Sequence, residues 1–243
     1  MYGRAVVALA AACFVGYCVL PDLMERRSPS SLRRAPAPTN GIALTFDDGP
    51  NEEITPRILD ALHAVGGHAT FFLVGQNVRR YPHLVRRMVR EGHAIGVHTE
   101  THPHAWLCVP SRLRREIAMS FTAIIEASGG KRPLWFRPPY GAFNAVTTAT
   151  AHRLGLRIAL WSCDAGDWLP GASQQGIAAR IRHGIQPGAV IDLHDGGRTP
   201  TGCRRMADLL PGILDEIVHA GLQPVQLGEL VGLPPYAEAY APS

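Results

Sequence analysis

From residue 41 onward, short apolar runs alternate with longer stretches in which apolar residues recur every three or four positions. The runs "IALTF" (42–46), "ATFFLVG" (69–75), "AIGVHT" (94–99), "LWFRPP" (134–139), "RIALWS" (157–162), "GAVIDLH" (188–194) and "QPVQL" (223–227) predict strands. Between them the helical period predicts helices over 55–65, 83–91, 112–127 and 204–220. In the third, Leu113, Ile117, Phe121, Ile124 and Ile125 share one face, with Arg114, Arg115 and Glu126 elsewhere. Seven strands alternating with helices predict an α/β domain, a parallel sheet closed into a (β/α) barrel, and such barrels place chemistry at the carboxyl ends of their strands.

The polar clusters follow that rule. Asp47 and Asp48 follow the first strand, His98 and His102 the third, and Arg137 to Tyr140 the fourth. Cys163 to Asp167 follow the fifth, and His194 with Asp195 ends the sixth. Scattered surface polarity would not collect at one end of every strand.

The first forty residues have a different texture. Residues 5–20, "AVVALAAACFVGYCVL", carry no charge, and Pro21 and Asp22 follow. Residues 1–27 read as a signal peptide or a short signal anchor, the alternative being a buried helix of the fold. No small-x-small site follows the run, which favours an anchor. Arg26, Arg27, Arg33 and Arg34 follow it and only Arg4 precedes it, so a positive-inside count would keep the domain cytoplasmic. Delivery to the extracytoplasmic side, secreted or tethered through residues 5–20, is nonetheless the preferred expectation. Residues 28–40, "SPSSLRRAPAPTN", read as a linker, 41–230 as the domain and 231–243 as a C-terminal tail.

Composition narrows the class without naming it. A 46% hydrophobic and 18% charged chain of 243 residues is globular, and its net charge of +4 comes without a dense basic cluster interleaved with aromatics, so nucleic acid is not an expected partner. Cys108, Cys163 and Cys203 fall in the domain without metal-type spacing, and at most one disulfide is available to them.

Four stretches carry candidate chemistry. "TFDDGP" sets two carboxylates side by side, which is either turn chemistry or a pair that a cation must compensate. "HTETH" spaces His98 and His102 so that a helical turn would put both imidazoles on one face, and two histidines with a carboxylate form a catalytic zinc set. "RPPYG" is a rigid turn or a site, and Arg137 with Asp167 a buried ion pair or part of one. Trp161 reads as a core aromatic, as does Trp168 on composition alone, and His194 is a core histidine or a functional one beside Asp195.

In order, "TFDDGP", "HTETH", "RPPYG", "DAGDW" and "LHD" resemble the five motifs of the NodB-type polysaccharide deacetylases, carbohydrate esterase family 4. The resemblance covers residues 41–230 and implies a distorted (β/α) barrel. It implies that Asp48, His98 and His102 bind one divalent metal ion, usually zinc with cobalt as an alternative, and that Asp47 is the general base. Arg137 would hold Asp47, with Asp167 bracing the arginine. The Tyr140 backbone N–H would stabilise the oxyanion, His194 would be the general acid, and Trp168 and Leu193 would line the acetyl pocket. Glu100 between the histidines and Asp192 within "GAVIDLHD" depart from the pattern and bear on substrate choice. The implied function is hydrolysis of the N-acetyl amide of N-acetylglucosamine units in a glycan such as peptidoglycan or chitin oligomers, by a monomeric enzyme. A small-molecule amidase and a non-catalytic sugar-binding relative are the alternatives.

Overall fold

The computed structural model describes residues 2–36, 38–197 and 199–237. A continuous N-terminal helix comprises α1 (Tyr2–Phe14), a π-turn (Val15–Val19) and α2 (Leu20–Arg27). The widened turn precedes Pro21, whose missing N–H and bulky ring disfavour a regular turn.

The domain follows as β1 (Gly41–Asp47), α3 (Ile54–Ala64), β2 (Thr70–Leu73), α4 (Gly75–Arg80), α5 (Pro82–Arg90) and β3 (Ala94–Val97). Next come α6 (Pro110–Ala127), β4 (Arg132–Pro133), β5 (Trp135–Phe136), α7 (Ala145–Arg153), β6 (Arg157–Ile158) and β7 (Cys163–Asp164). The chain closes with α8 (Gln174–Gly184), β8 (Val190–His194), α9 (Pro200–His219), β9 (Gln223–Val225), α10 (Leu227–Leu230) and β10 (Tyr236–Ala237).

The large sheet runs β6-β5-β3-β2-β1-β8-β7, all parallel, with β9 added to β1. Alternation along β1 divides the core. Ile42, Leu44 and Phe46 face the helices, joining Ile58 and Leu62 of α3 and Met206, Leu210 and Ile217 of α9. Ala43 turns inward with Phe72, Trp135 and Val190. The parallel α/β barrel read from the sequence is therefore present, in a distorted form.

The distortion has a local cause. The predicted strand 157–162 stops after Ile158: β6 pairs with β5, and beyond a bend β7 pairs with β8. At the bend, Leu32 is inserted, donating its N–H to Ile158 O at 3.0 Å and accepting from Leu160 N–H at 2.7 Å. Ala35 N–H donates to Gly188 O at 2.8 Å. The expected linker is thus paired into the sheet around residues 32–35.

Other boundaries also shift. Gly75, predicted as strand, opens α4, and the run 134–139 ends at Phe136, before Pro138 and Pro139, which lack the N–H a ladder needs. Part of the expected tail forms β10, antiparallel to β4, and Tyr236 donates its hydroxyl to His93 O at 2.6 Å. All five cysteines are free.

Candidate active site

β1 ends at Asp47, and the chain then enters the left-handed region at Asp48, φ 73°. The change of backbone state separates two identical side chains. Asp47, extended and inward, accepts from Arg137 Nη1 at 2.8 Å. Asp48 turns toward the histidines, its Oδ1 lying 3.0 Å from His102 Nε2 and 3.4 Å from His98 Nε2. The DDGP stretch is a turn, and it is also a site.

His98 and His102 are not brought together by a helical turn. The segment between them is irregular, with Thr99 at φ 65° and His102 at φ 57°, and the ring centroids lie 5.1 Å apart. Glu116 of α6 holds this loop, accepting from Thr101 N–H at 2.7 Å and its hydroxyl at 2.8 Å. Glu100 points away to an ion pair with Arg79, which accounts for its place between the histidines.

Ligand atoms of Asp48, His98 and His102 lie within 4.8 Å of one another. His98 Nδ1 is 2.7 Å from Arg137 O and must donate to it, which leaves Nε2 as a lone pair in the neutral ring. That lone pair converges with Asp48 Oδ1, a buried acceptor without a hydrogen-bond partner. Acceptors that converge in this way fit a divalent cation. The same crowding appears in proton affinities. Burial works to raise the Asp48 carboxyl, yet the imidazoles of His102 and His98 beside it, when they carry a proton, draw it far below the usual carboxylate range. Burial works to lower His98, and Asp47 and Asp48 together raise it.

Arg137 is fully buried and joins the two halves of the site. Its Nη1 donates to Asp47 Oδ1, to Asp192 Oδ1 at 2.7 Å and to Thr45 Oγ1 at 2.9 Å; Nη2 donates to Leu160 O at 2.9 Å. The guanidinium also stacks over Phe72, 4.2 Å from the ring centroid, and sits 5.4 Å from Trp161. Asp167 does not brace it, contrary to the expectation from the motifs. Asp192 takes that position, brought opposite Thr45 by the β1–β8 register. Burial first, and then the Asp47 charge, raise the Asp192 carboxyl well above its ordinary value despite Arg137.

Asp167, fully buried, serves His194 instead. It accepts from the His194 backbone N–H at 2.8 Å and lies 2.9 Å from Nδ1. Burial acts to lower the His194 pKa, but the Asp167 charge and hydrogen bond overcome it and raise the pKa well above the free imidazole value. Leu193 is misplaced by the motif reading: strand alternation puts Asp192 and His194 on the cleft side and buries Leu193 in the helix-facing core.

A cleft of about 790 Å³ opens over these groups, lined by Asp47, Asp48, His98, His102, Asp192 and His194 and flanked by aromatics. Trp168, 45% exposed, donates its indole N–H to Asp164 Oδ1 at 3.1 Å. Tyr140, 55% exposed and at φ 59°, stacks with His104 at 5.2 Å and meets His102 edge-on at 4.7 Å. Trp161, read as core, also reaches the cleft.

Sequence reasoning missed the supporting roles of three residues. Asp195 is buried beneath the Asp48–Gly49 turn, accepting from Thr55 Oγ1 at 2.5 Å, and burial above all raises it to about 7. Glu116 was legible only as an acid within the apolar stripe of α6. Gly202 is required because a Cβ there would overlap the Asp167 carbonyl.

Carboxylates, imidazoles and a buried guanidinium gathered at the carboxyl edge of a curled parallel sheet define a hydrolase-type centre with a candidate metal site. The polysaccharide deacetylase family profile matches residues 34–159, and the chain belongs to this family. It is 41% identical over 159 residues, 65% of this chain and 72% of the relative, to a chitooligosaccharide deacetylase of Bradyrhizobium sp. (strain ANU 289). It is 36% identical over 195 residues, 78% of this chain and 87% of the relative, to a peptidoglycan-N-acetylglucosamine deacetylase of Bacillus cereus. Among solved structures, the Bc1960 peptidoglycan N-acetylglucosamine deacetylase superposes with a TM-score of 0.79 at 31% identity, covering 86% of this chain and 95% of that one.

Proposed function

We infer that this chain is a zinc-dependent deacetylase that hydrolyses the N-acetyl amide of N-acetylglucosamine units in a glycan, releasing acetate and a free amine. One observation carries the reading: the two differently partnered groups, Asp47 on Arg137 and His194 on Asp167, flank the Asp48, His98 and His102 set in one cleft. A divalent ion held by Asp48, His98 and His102 would acidify a water and polarise the amide carbonyl. Cobalt is the expected substitute for zinc.

Asp47, fixed by Arg137, takes a proton from the attacking water as its oxygen bonds to the carbonyl carbon. The turn at Tyr140 presents its backbone N–H to the developing oxyanion, and one such donor contributes about 10²–10³ in rate. The C–N bond breaks as His194 gives its proton to the leaving nitrogen. Trp168 and the exposed Tyr140 ring supply faces on which a sugar ring stacks, which favours a saccharide over a small amide. Asp192, bonded to Arg137, keeps the guanidinium from turning away from Asp47.

We place residues 41–230 as the deacetylase domain and the apolar helix as a membrane tether, with the domain on the extracytoplasmic side, where peptidoglycan lies. Arg26 donates to Asp22 and to Gly141 O, which fastens the end of this helix to the domain. A reporter fused at the C-terminus should be active only outside the cytoplasm.

The test of function is acetate release from chitooligosaccharides, peptidoglycan and small N-acetyl amides, with added zinc and with chelator. Zinc-dependent release from the glycans is expected. Release confined to small amides would favour the amidase alternative, and none from any substrate the non-catalytic one.

A further inference from the structure

The segment Val6–Arg27 is long and apolar enough to cross a membrane, its 22 residues spanning about 33 Å at 1.5 Å per residue. Its two halves have different surroundings. Val6, Val7, Leu9, Phe14 and Val15 are exposed. In α2 one face is fastened to the domain: Asp22 Oδ1 accepts from Phe143 N–H at 2.8 Å, Arg26 Nη2 donates to Gly141 O at 2.6 Å, and Glu25 is buried. The other face of α2 presents Leu20, Leu23 and Met24 outward, 50%, 40% and 72% exposed.

The free part alone is too short to span. The 13 residues of α1 cover about 20 Å, and the five of the π-turn, where Cys18 is already buried, bring this only to about 27 Å, against ~30 Å of hydrocarbon. A crossing helix must therefore carry the outward face of α2 into lipid, together with any domain surface level with α1. That surface is the loop after His102. Phe14 packs edge-on against Trp106 at 5.6 Å, and the neighbouring Leu107 and Val109 are 85% and 63% exposed. α6 begins at the next residue, and its first turns carry exposed Arg112, Arg114 and Arg115, with Arg112 3.4 Å from Glu116.

We propose that residues 105–109 are a second membrane contact: Leu107 and Val109 enter the boundary between headgroups and acyl chains beside the helix, while Arg112, Arg114 and Arg115 lie against anionic headgroups. The partner is a lipid bilayer containing anionic lipid, and the inference rests on the tethered reading above. It bears on catalysis through geometry. Trp106 Nε1 donates to Phe143 O at 2.6 Å and His104 stacks on Tyr140, so the same loop ties the bilayer surface to the rim of the cleft. The cleft is held close to the membrane.

The full chain, reconstituted in vesicles of phosphatidylcholine and phosphatidylglycerol, tests this with Leu107→Trp, a change an exposed position tolerates. Fluorescence is compared with the wild type for quenching by lipids brominated along the acyl chain and by acrylamide in the water. The added emission should be lost to lipids brominated near the headgroup and should resist acrylamide. In vesicles of phosphatidylcholine alone the bromine quenching should weaken; equal quenching there would overturn the role of the arginines. Flotation of the same sample separates the two readings. A chain that does not float with the vesicles overturns the tether and the contact together. A chain that floats, with the new tryptophan quenched by acrylamide and not by bromine, overturns only the contact. Protection from both quenchers would assign the loop to a protein surface and overturn it as well.

Discussion

Asp47 and Asp48 have the same chemistry and differ in backbone state, and that difference gives them different neighbours and, in the proposed function, different work. Asp48→Asn replaces an anionic ligand with a neutral amide and should lose most of the metal and the activity together. Asp47→Asn should keep the metal and lower kcat by about 10²–10⁴-fold, since an amide cannot accept the water's proton. Elemental analysis beside kcat checks both, and the reverse pattern would exchange the two roles. His194 makes a second prediction at this scale. Asp167 raises its pKa against the effect of burial, so the acid form persists to higher pH than in a free imidazole. Asp167→Asn should move the alkaline limb of the pH–rate profile to lower pH. An unmoved limb would remove His194 as the group that sets it.

Elements hold these residues in place from a distance. α6 keeps the loop of His98 and His102 in place through one carboxylate, Glu116 on Thr101. Glu116→Ala should lower metal affinity by about 10–100-fold, as changes behind the ligands do, measured by titration with a competing chelator. Unchanged affinity would show that backbone geometry alone holds the loop. The first turn of α9 does the same for His194, because Gly202 lets the helix lie against the Asp167 backbone. Gly202→Ala must push one of them away, and kcat should fall while metal content stays at the wild-type level.

For the molecule as a whole, a buried histidine far from the chemistry sets part of the acid sensitivity. His93 accepts from Ala69 N–H through Nδ1 at 3.2 Å, and burial first, then the charges of His68 and Arg87, lower its pKa to about 3. The unfolded chain takes up this proton near pH 6.5 and the folded chain does not. The neutral form therefore stabilises the fold fully above about pH 6.5, and that stability is lost as pH falls from there toward 3, by on the order of a few kcal/mol. Denaturation midpoints of the full chain at pH 7 and pH 5 should differ accordingly. His93→Gln, which can accept the same N–H without titrating, should flatten the difference.

The elements and the location of the site were legible because both depend on local pattern. Period-two and period-3.6 alternation marks strands and helices wherever one face is buried, and polar residues ending apolar runs mark the carboxyl edge of a parallel sheet. Asp47, Asp48, His98, His102, Arg137 and His194 were found on that basis; five of them line one cleft, and Arg137 is buried behind Asp47. What the sequence left open were partners across long separations. Asp167 serves His194 and Asp192 serves Arg137 because the β1–β8 register and the bend at residues 157–164 bring them together, and no local spacing encodes either. Alternation alone could have turned Leu193 away from the cleft, since it lies one residue from His194. The segment 28–40 reads as a linker by composition, yet a bent edge strand leaves backbone groups unpaired, and residues 32–35 supply their partners. The apolar helix was visible from its lack of charge. Its docking through Asp22 and Arg26 onto residues 141–143 was decided only by tertiary structure, because those bonds join groups more than a hundred residues apart in the chain.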